Sequence, residues 1–270
     1  MNLSNMTPKD LAGQRLMVGF NGHEFNDDIR FLIQELRVGG LILFSRNIDT
    51  KDQVRTLTAQ SQAFAKDCGL PRLFIAVDQE GGVVARFREG FTRFRGNPFV
   101  KTLEQAGEFA RVTSDELGAV GVNMNMAPVM DVAFEPDSIM IERAFPGGPA
   151  TVAELGCQVI STLQANGMMA VAKHFPGIGR TVLDSHFELP VLNAAPSVLM
   201  ENDLVPFMAA KDHQVTGIML SHILYEQLDS QWPASLSPAI AKDLLRGTLG
   251  YDGLVMTDDL DMKAIRHDID

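Results

Sequence analysis

Leu73-Phe74-Ile75-Ala76-Val77-Asp78-Gln79-Glu80-Gly81-Gly82 is an apolar run that stops abruptly in two carboxylates and a pair of glycines. A near-continuous apolar run of this length reads as a strand covered on both faces, which is the habit of parallel sheets. Six other runs read the same way: Leu16 to Phe20, Leu41 to Ser45, Val122 to Ala127, Met168 to Ala172, Ile218 to Ser221 and Leu254 to Thr257. Between them lie helix-like stretches at 27–36, 51–66, 103–120, 152–165, 197–211 and 238–249. Within the third, Leu103, Ala106, Ala110, Leu117 and Val120 form one apolar stripe at helical spacing. Ser237-Pro238 supplies an N-cap and a first-turn proline, and Gly250 sits where a C′ glycine ends that helix. Pro206 predicts a kink or break.

Seven βα units suit a closed barrel or an open doubly wound sheet. Polar residues decide between them, because they follow almost every strand: Ser45-Arg46, Asp78-Gln79-Glu80, Asp131, Lys173-His174, Ser221-His222 and Asp258-Asp259. A barrel gathers all its strand ends at one mouth, where such enzymes hold their chemistry, whereas an open sheet concentrates a ligand at one switch point. Gly19-Phe20-Asn21-Gly22 after the first strand is not a dinucleotide fingerprint. The expected fold is therefore α/β, a TIM-type (β/α) barrel, with residues 1–270 forming a single domain.

The 270 residues are 46% hydrophobic, enough for one large core. A formal charge of -11 is spread along the chain and offers no phosphate-binding footprint, so nucleic acid is not an expected partner. Cys68 and Cys157 stand far apart without metal or disulfide spacing, and read as buried small hydrophobes. No stretch approaches the roughly 18 apolar residues of a membrane span, and the first residues lack the apolar core of a signal peptide. A cytoplasmic protein without membrane partners, metal or cofactor is expected.

Three segments could carry chemistry. Lys173-His174-Phe175-Pro176-Gly177-Ile178-Gly179-Arg180-Thr181-Val182-Leu183-Asp184-Ser185-His186 leaves a strand, passes glycines and a proline that disfavour helix, and ends in Asp-x-His. Residues two apart in an extended loop project to one side, so Asp184 can hold one nitrogen of His186 while the other faces a substrate. Asp78 followed by glycines suits the approach of a sugar ring, with the carboxylate accepting from hydroxyls. Asp258, emerging from the last strand, can attack an anomeric carbon. Taken singly, each has a plainer reading: a solvated loop, a helix N-terminus with acidic caps, a surface acidic turn.

Together, the runs Val77 to Gly82, Asn125 to Val132, Lys173 to Gly177 with Asp184-Ser185-His186, Pro233 to Ser237 and Gly250 to Leu260 resemble glycoside hydrolase family 3, in its β-N-acetylhexosaminidase branch. The similarity spans nearly everything from Gly40 to Ile265. It implies Asp258 as nucleophile, His186 as acid/base and Asp184 as the residue orienting it. Asp78, Arg86, Arg143, Lys173 and His174 match sugar-binding positions of the family. The implied substrate is a β-linked N-acetylglucosamine on a muropeptide, and the implied role is cell-wall recycling in the cytosol. Two departures stand out: Ile178 occupies the place of a second family histidine, and Arg143 is followed by Ala-Phe-Pro-Gly-Gly. Family members continue through an eighth strand, so a (β/α)8 barrel truncated after the seventh strand is expected, with two unpaired edges. Two rival readings remain: a metal-dependent barrel hydrolase using His174, His222 and an acidic residue as ligands, and a sugar-binding paralogue without turnover.

Overall fold

The computed structural model describes residues 6–183, 189–262 and 265. Its centre is a sheet of seven strands: β1 (Met17–Val18), β2 (Gly40–Leu43), β3 (Phe74–Val77), β4 (Met124–Asn125), β5 (Met169–Phe175), β6 (Gly217–Leu220) and β7 (Leu254–Thr257). Every neighbouring pair is parallel, and the order in space is the order in the chain. With no reversal there is no switch point, which removes the doubly wound alternative and gives the curled TIM-type (β/α) arrangement. Among the described residues nothing pairs with the outer edges of β1 and β7.

The two faces of the sheet bury different things. On one face Leu41, Leu43, Ile75, Val77, Ile218 and Leu220 pack with Ile29 and Ile33 of α2 (Asp27–Gln34), Val54 and Leu57 of α3 (Lys51–Asp67), Ala106 and Ala110 of α4 (Leu103–Ala119) and Leu155 and Val159 of α5 (Pro149–Ala165). The other face, among the described residues, packs on itself, through Ala76, Met124, Met126, Val171 and Met219 with Met17, Ile42, Phe74, Met169, Leu254 and Met256. This alternation is the period of two that a strand imposes. Unbranched methionines fill the uneven space inside the curl.

All seven expected strands are present, with shifted ends. β5 runs through Lys173 and His174, which the sequence placed beyond it, because Lys173 and Phe175 continue the register with Met219 and Leu220 across a bulge. β4 is shorter than expected. Beside it, amide side chains replace the ladder: Asn123 accepts from Ile75 N–H and donates to Leu73 C=O, and Asn125 does both with Gln79. A short helix, α1 (Pro8–Gly13), escaped the sequence reading, although Thr7 and Asp10 form a capping box there. The helix expected at 238–249 is a π-helix, Ala239–Thr248, started by the Ser237 hydroxyl accepting from Ile240 N–H at 3.1 Å. Gly250 follows it at φ +67°, as a C′ glycine does. The stretch around Pro206 breaks into a π-turn (Leu199–Asp203) and a separate helix, Val205–Asp212, with the proline in its first turn.

Candidate active site

The inward-facing rows of three strands end in charge. Phe74 and Ala76 lead to Asp78, Met169 and Val171 to Lys173, and Leu254 and Met256 to Asp258, each charged residue being the next position on the same face. Asp78 and Glu80 also share a side, since a ribbon of Gln79–Gly81 with Val84–Ala85 keeps the chain extended past the strand. Gln79, pointing the other way, closes that ribbon by accepting from Arg86 and Phe87 N–H and donating to Phe87 C=O.

Lys173, only 2% exposed, places its ammonium 2.7 Å from Asp78 Oδ1 and 2.6 Å from Glu80 Oε1. Burial alone would discharge this lysine, but the two carboxylates outweigh it and hold its pKa above the ordinary value. Glu80 meets Arg143 as well, through Nη2 at 2.7 Å and Nε at 3.0 Å, a bidentate contact. Burial pushes Glu80 up, yet Lys173 and Arg143 together pull it down to about 2. Arg86 Nη2 reaches Asp78 Oδ2 at 3.5 Å, and its buried Nε has no partner among the described residues.

His174 is held by Asp131, which is fully buried. Nδ1 lies 2.7 Å from Asp131 Oδ2, and the same carboxylate accepts the backbone N–H of His174 and, at 2.8 Å, that of Ile178. With Nδ1–H donating to Asp131, Nε2 is left to face Arg143 Nη2 at 3.3 Å. Ile178 is 5% exposed and packs in the main core, so its side chain serves packing while its backbone secures the loop. The peptides Lys173-His174, Phe175-Pro176 and Ala127-Pro128 are cis.

Asp258 follows β7 with its N–H on Leu220 C=O at 3.0 Å, and its Oδ1 accepts Asp259 N–H at 2.8 Å. Burial tends to raise its pKa, but His174, His222, the Asp259 N–H and Lys173 outweigh that and hold the carboxyl below its ordinary value. The group is thus an ionised carboxylate beside the polar cluster, the state a nucleophile needs. His222 ties down the residue after it, with Nδ1 2.7 Å from Ser235 Oγ and Nε2–H donating to Asp259 C=O at 2.8 Å. Both ring nitrogens being taken, His222 is a tie rather than a metal ligand, and no group of three His, Cys, Asp or Glu side chains among the described residues could hold a metal.

Of the residues singled out from sequence, Asp78, Arg86, Arg143, Lys173 and His174 form one connected cluster, and the field of its lysine and imidazole reaches Asp258. Asp184 and His186 lie outside the described residues. Sequence reasoning assigned no role to Glu80 and Asp131, which organise the cluster. The available signal was parity for Glu80, two positions after Asp78 on an extended chain. Asp131 gave none beyond its place after a strand.

Residues 9–269 match the family described as glycosyl hydrolase family 3 N terminal domain. A β-hexosaminidase of Alkalilimnicola ehrlichii is 40% identical over 258 residues, covering 92% of this chain and 73% of that protein. One from Pseudomonas aeruginosa is 37% identical over 251 residues, covering 92% and 74%. Among solved structures, a family 3 β-N-acetylglucosaminidase from Paenibacillus sp. str. FPU-7 superposes with a TM-score of 0.94 at 41% identity, covering 97% of this chain and 51% of that one. NagZ from Neisseria gonorrhoeae gives 0.85 at 32% identity, covering 92% and 74%. The chain therefore spans about three quarters of these β-hexosaminidases and half of the Paenibacillus enzyme. A sequential parallel sheet with its charged row at the strand ends and a family match over nearly the full length agree, and the chain belongs to glycosyl hydrolase family 3, in the part described as its N-terminal domain.

Proposed function

We propose that this chain is the sugar-cleaving barrel of a retaining β-N-acetylhexosaminidase that removes terminal β-linked N-acetylglucosamine, with muropeptides as substrates and the cytoplasm as its place of work. The observation that carries the reading is that Asp258 ends the same inward face of the sheet as a buried cluster of charged and polar groups, Asp78, Lys173, Arg143 and His174. Relatives named β-hexosaminidase at up to 40% identity supply the sugar class.

In this mechanism Asp258 attacks the anomeric carbon and the aglycone oxygen leaves, taking a proton from His186. Water then attacks the glycosyl ester, giving its proton back to His186, and Asp258 is released as carboxylate. Asp184 orients the imidazole. Two inversions at one carbon leave its configuration retained. Asp78 and Arg86 accept from and donate to the sugar hydroxyls, and Lys173 and Arg143 keep the anionic side of the cluster charged and in place. Release of 4-nitrophenol from its β-N-acetylglucosaminide tests the proposal. Tight binding of N-acetylglucosamine with no release at any enzyme concentration would replace it with the reading of a sugar-binding paralogue.

A further inference from the structure

We infer that Arg180 and Asp203 are positioning residues for the proton-transfer step, clamping the root of the segment that leads to Asp184 and His186. This rests on the proposed role of His186.

Arg180 Nε lies 3.0 and 2.9 Å from the two oxygens of Asp203, whose side chain is 1% exposed. The guanidinium stacks 3.9 Å over the Phe134 ring, which fixes its plane. Among the described residues, none of the hydrogen bonds of the Arg180 side chain goes to the sugar-binding cluster. The pair acts instead on a short stretch of chain gripped on every side. Ile178 N–H donates to Asp131, Gly177 C=O accepts from the Tyr225 hydroxyl at 2.9 Å, Gly179 C=O accepts from Phe134 N–H, and Thr181 C=O accepts from Ile139 N–H. Gly177 sits close against Asp203, where an added Cβ would come within 3.0 Å of the aspartate Cβ.

Tyr225 also serves the far side of the segment, because it pairs with Leu192 in the two-residue ladder of Val191–Leu192 with Leu224–Tyr225. The chain before Asp184 and the chain after His186 are thus tied to one residue. Arg180 precedes Asp184 by four positions and His186 by six. Six residues reach at most about 20 Å, so where residue 180 is fixed bounds where the imidazole can go.

Stability is a poor account of the pair. Desolvation raises Asp203 to about 6 even with the arginine in contact, so burying this carboxylate costs more than the pairing returns. What the contact does secure is the direction in which the chain leaves Gly179.

A misplaced acid harms poor leaving groups and spares good ones, whereas general loss of structure harms both alike. Arg180→Gln and Asp203→Asn in the full chain are therefore compared with His186→Ala on phenyl and 2,4-dinitrophenyl β-N-acetylglucosaminides. For both clamp variants kcat/KM should fall by about 10- to 100-fold on the phenyl substrate and by no more than about twofold on the dinitrophenyl one, with inhibition by N-acetylglucosamine unchanged. If His186→Ala shows the leaving-group dependence and the clamp variants lose both substrates equally or lose nothing, the clamp is overturned alone. If His186→Ala itself shows no dependence, the acid assignment fails and the clamp with it. Asp203→Asn keeps the volume and a hydrogen bond, so it tests the pair even if Arg180→Gln does not fold.

Discussion

The ammonium of Lys173 lies 2.7 Å from the carboxylate of Asp78, although 95 positions separate them in the chain. The contact joins the ends of β3 and β5, which are not neighbours in the sheet because β4 runs between them. It crosses the concave side, over the methionines, and with Glu80 it makes a buried triad whose charges sum to -1 before Arg143 is counted. Removing the one ammonium leaves two carboxylates facing each other.

Lys173→Met should therefore cost about 3–5 kcal/mol of stability, since it strands buried charge rather than deleting a pair. Urea denaturation followed by tryptophan or far-ultraviolet signal measures this. Hydrolysis of 4-nitrophenyl β-N-acetylglucosaminide should fall at least about 100-fold, because the cluster then lacks the group that orders Asp78.

Asp258→Ala should abolish covalent labelling by a 2-fluoro sugar with an activated leaving group, as read by intact mass. Labelling that persists in this variant would put the nucleophile on another residue. His186→Ala should keep labelling with such an activated donor while losing ordinary aryl glycosides.

Stability should change with pH in two windows of opposite sign. Glu80 is held at about 2 against an ordinary 4.5, so its contribution is complete above pH 4.5 and is lost as pH falls toward 2. Asp203 is raised to about 6 from 3.8, so its contribution is complete below pH 3.8 and is lost as pH rises through 6. Denaturation midpoints taken from pH 2 to 8 should show both slopes. Asp203→Asn should flatten only the upper one, and Glu80→Gln only the lower.

Gly179→Ala should destabilise the fold by about 1–3 kcal/mol or more, because its Cβ would overlap the Val132 carbonyl oxygen at 1.8 Å. The backbone contact from Phe134 to Gly179 would open with it, and a thermal melt of the variant checks this. Gly69→Ala, where a Cβ meets nothing within 4 Å but the backbone is at φ +72°, separates conformational strain from collision.

The strand pattern was legible because parallel strands bury both faces and so betray themselves as apolar runs. The charged row was legible because each member directly follows such a run. Its wiring was not. That Asp131 would serve His174 and Ile178, 43 and 47 positions away, depends on how the loop after β4 folds back over β5, and nothing local to Asp131 announces it. The extension of β5 was missed because Lys173 and His174 look like loop residues, and they are tolerated in a strand because Asp78 and Glu80 pair with the ammonium and Asp131 accepts from the imidazole. Ile178 read as a departure from the family pattern; in place it is an ordinary core side chain whose amide performs the anchoring.

Because Asp78, Lys173 and Asp258 each sit an even number of steps from the inward-facing apolar residues of their own strand, a single inserted or deleted residue within β3, β5 or β7 would rotate that charge into the greasy layer beneath the helices. A two-residue change would keep the orientation and merely raise or lower the group along the axis of the curl. Length variation in these strands is therefore quantised, and engineering of the site should proceed by exchanging loops beyond the strand ends, where no such arithmetic applies.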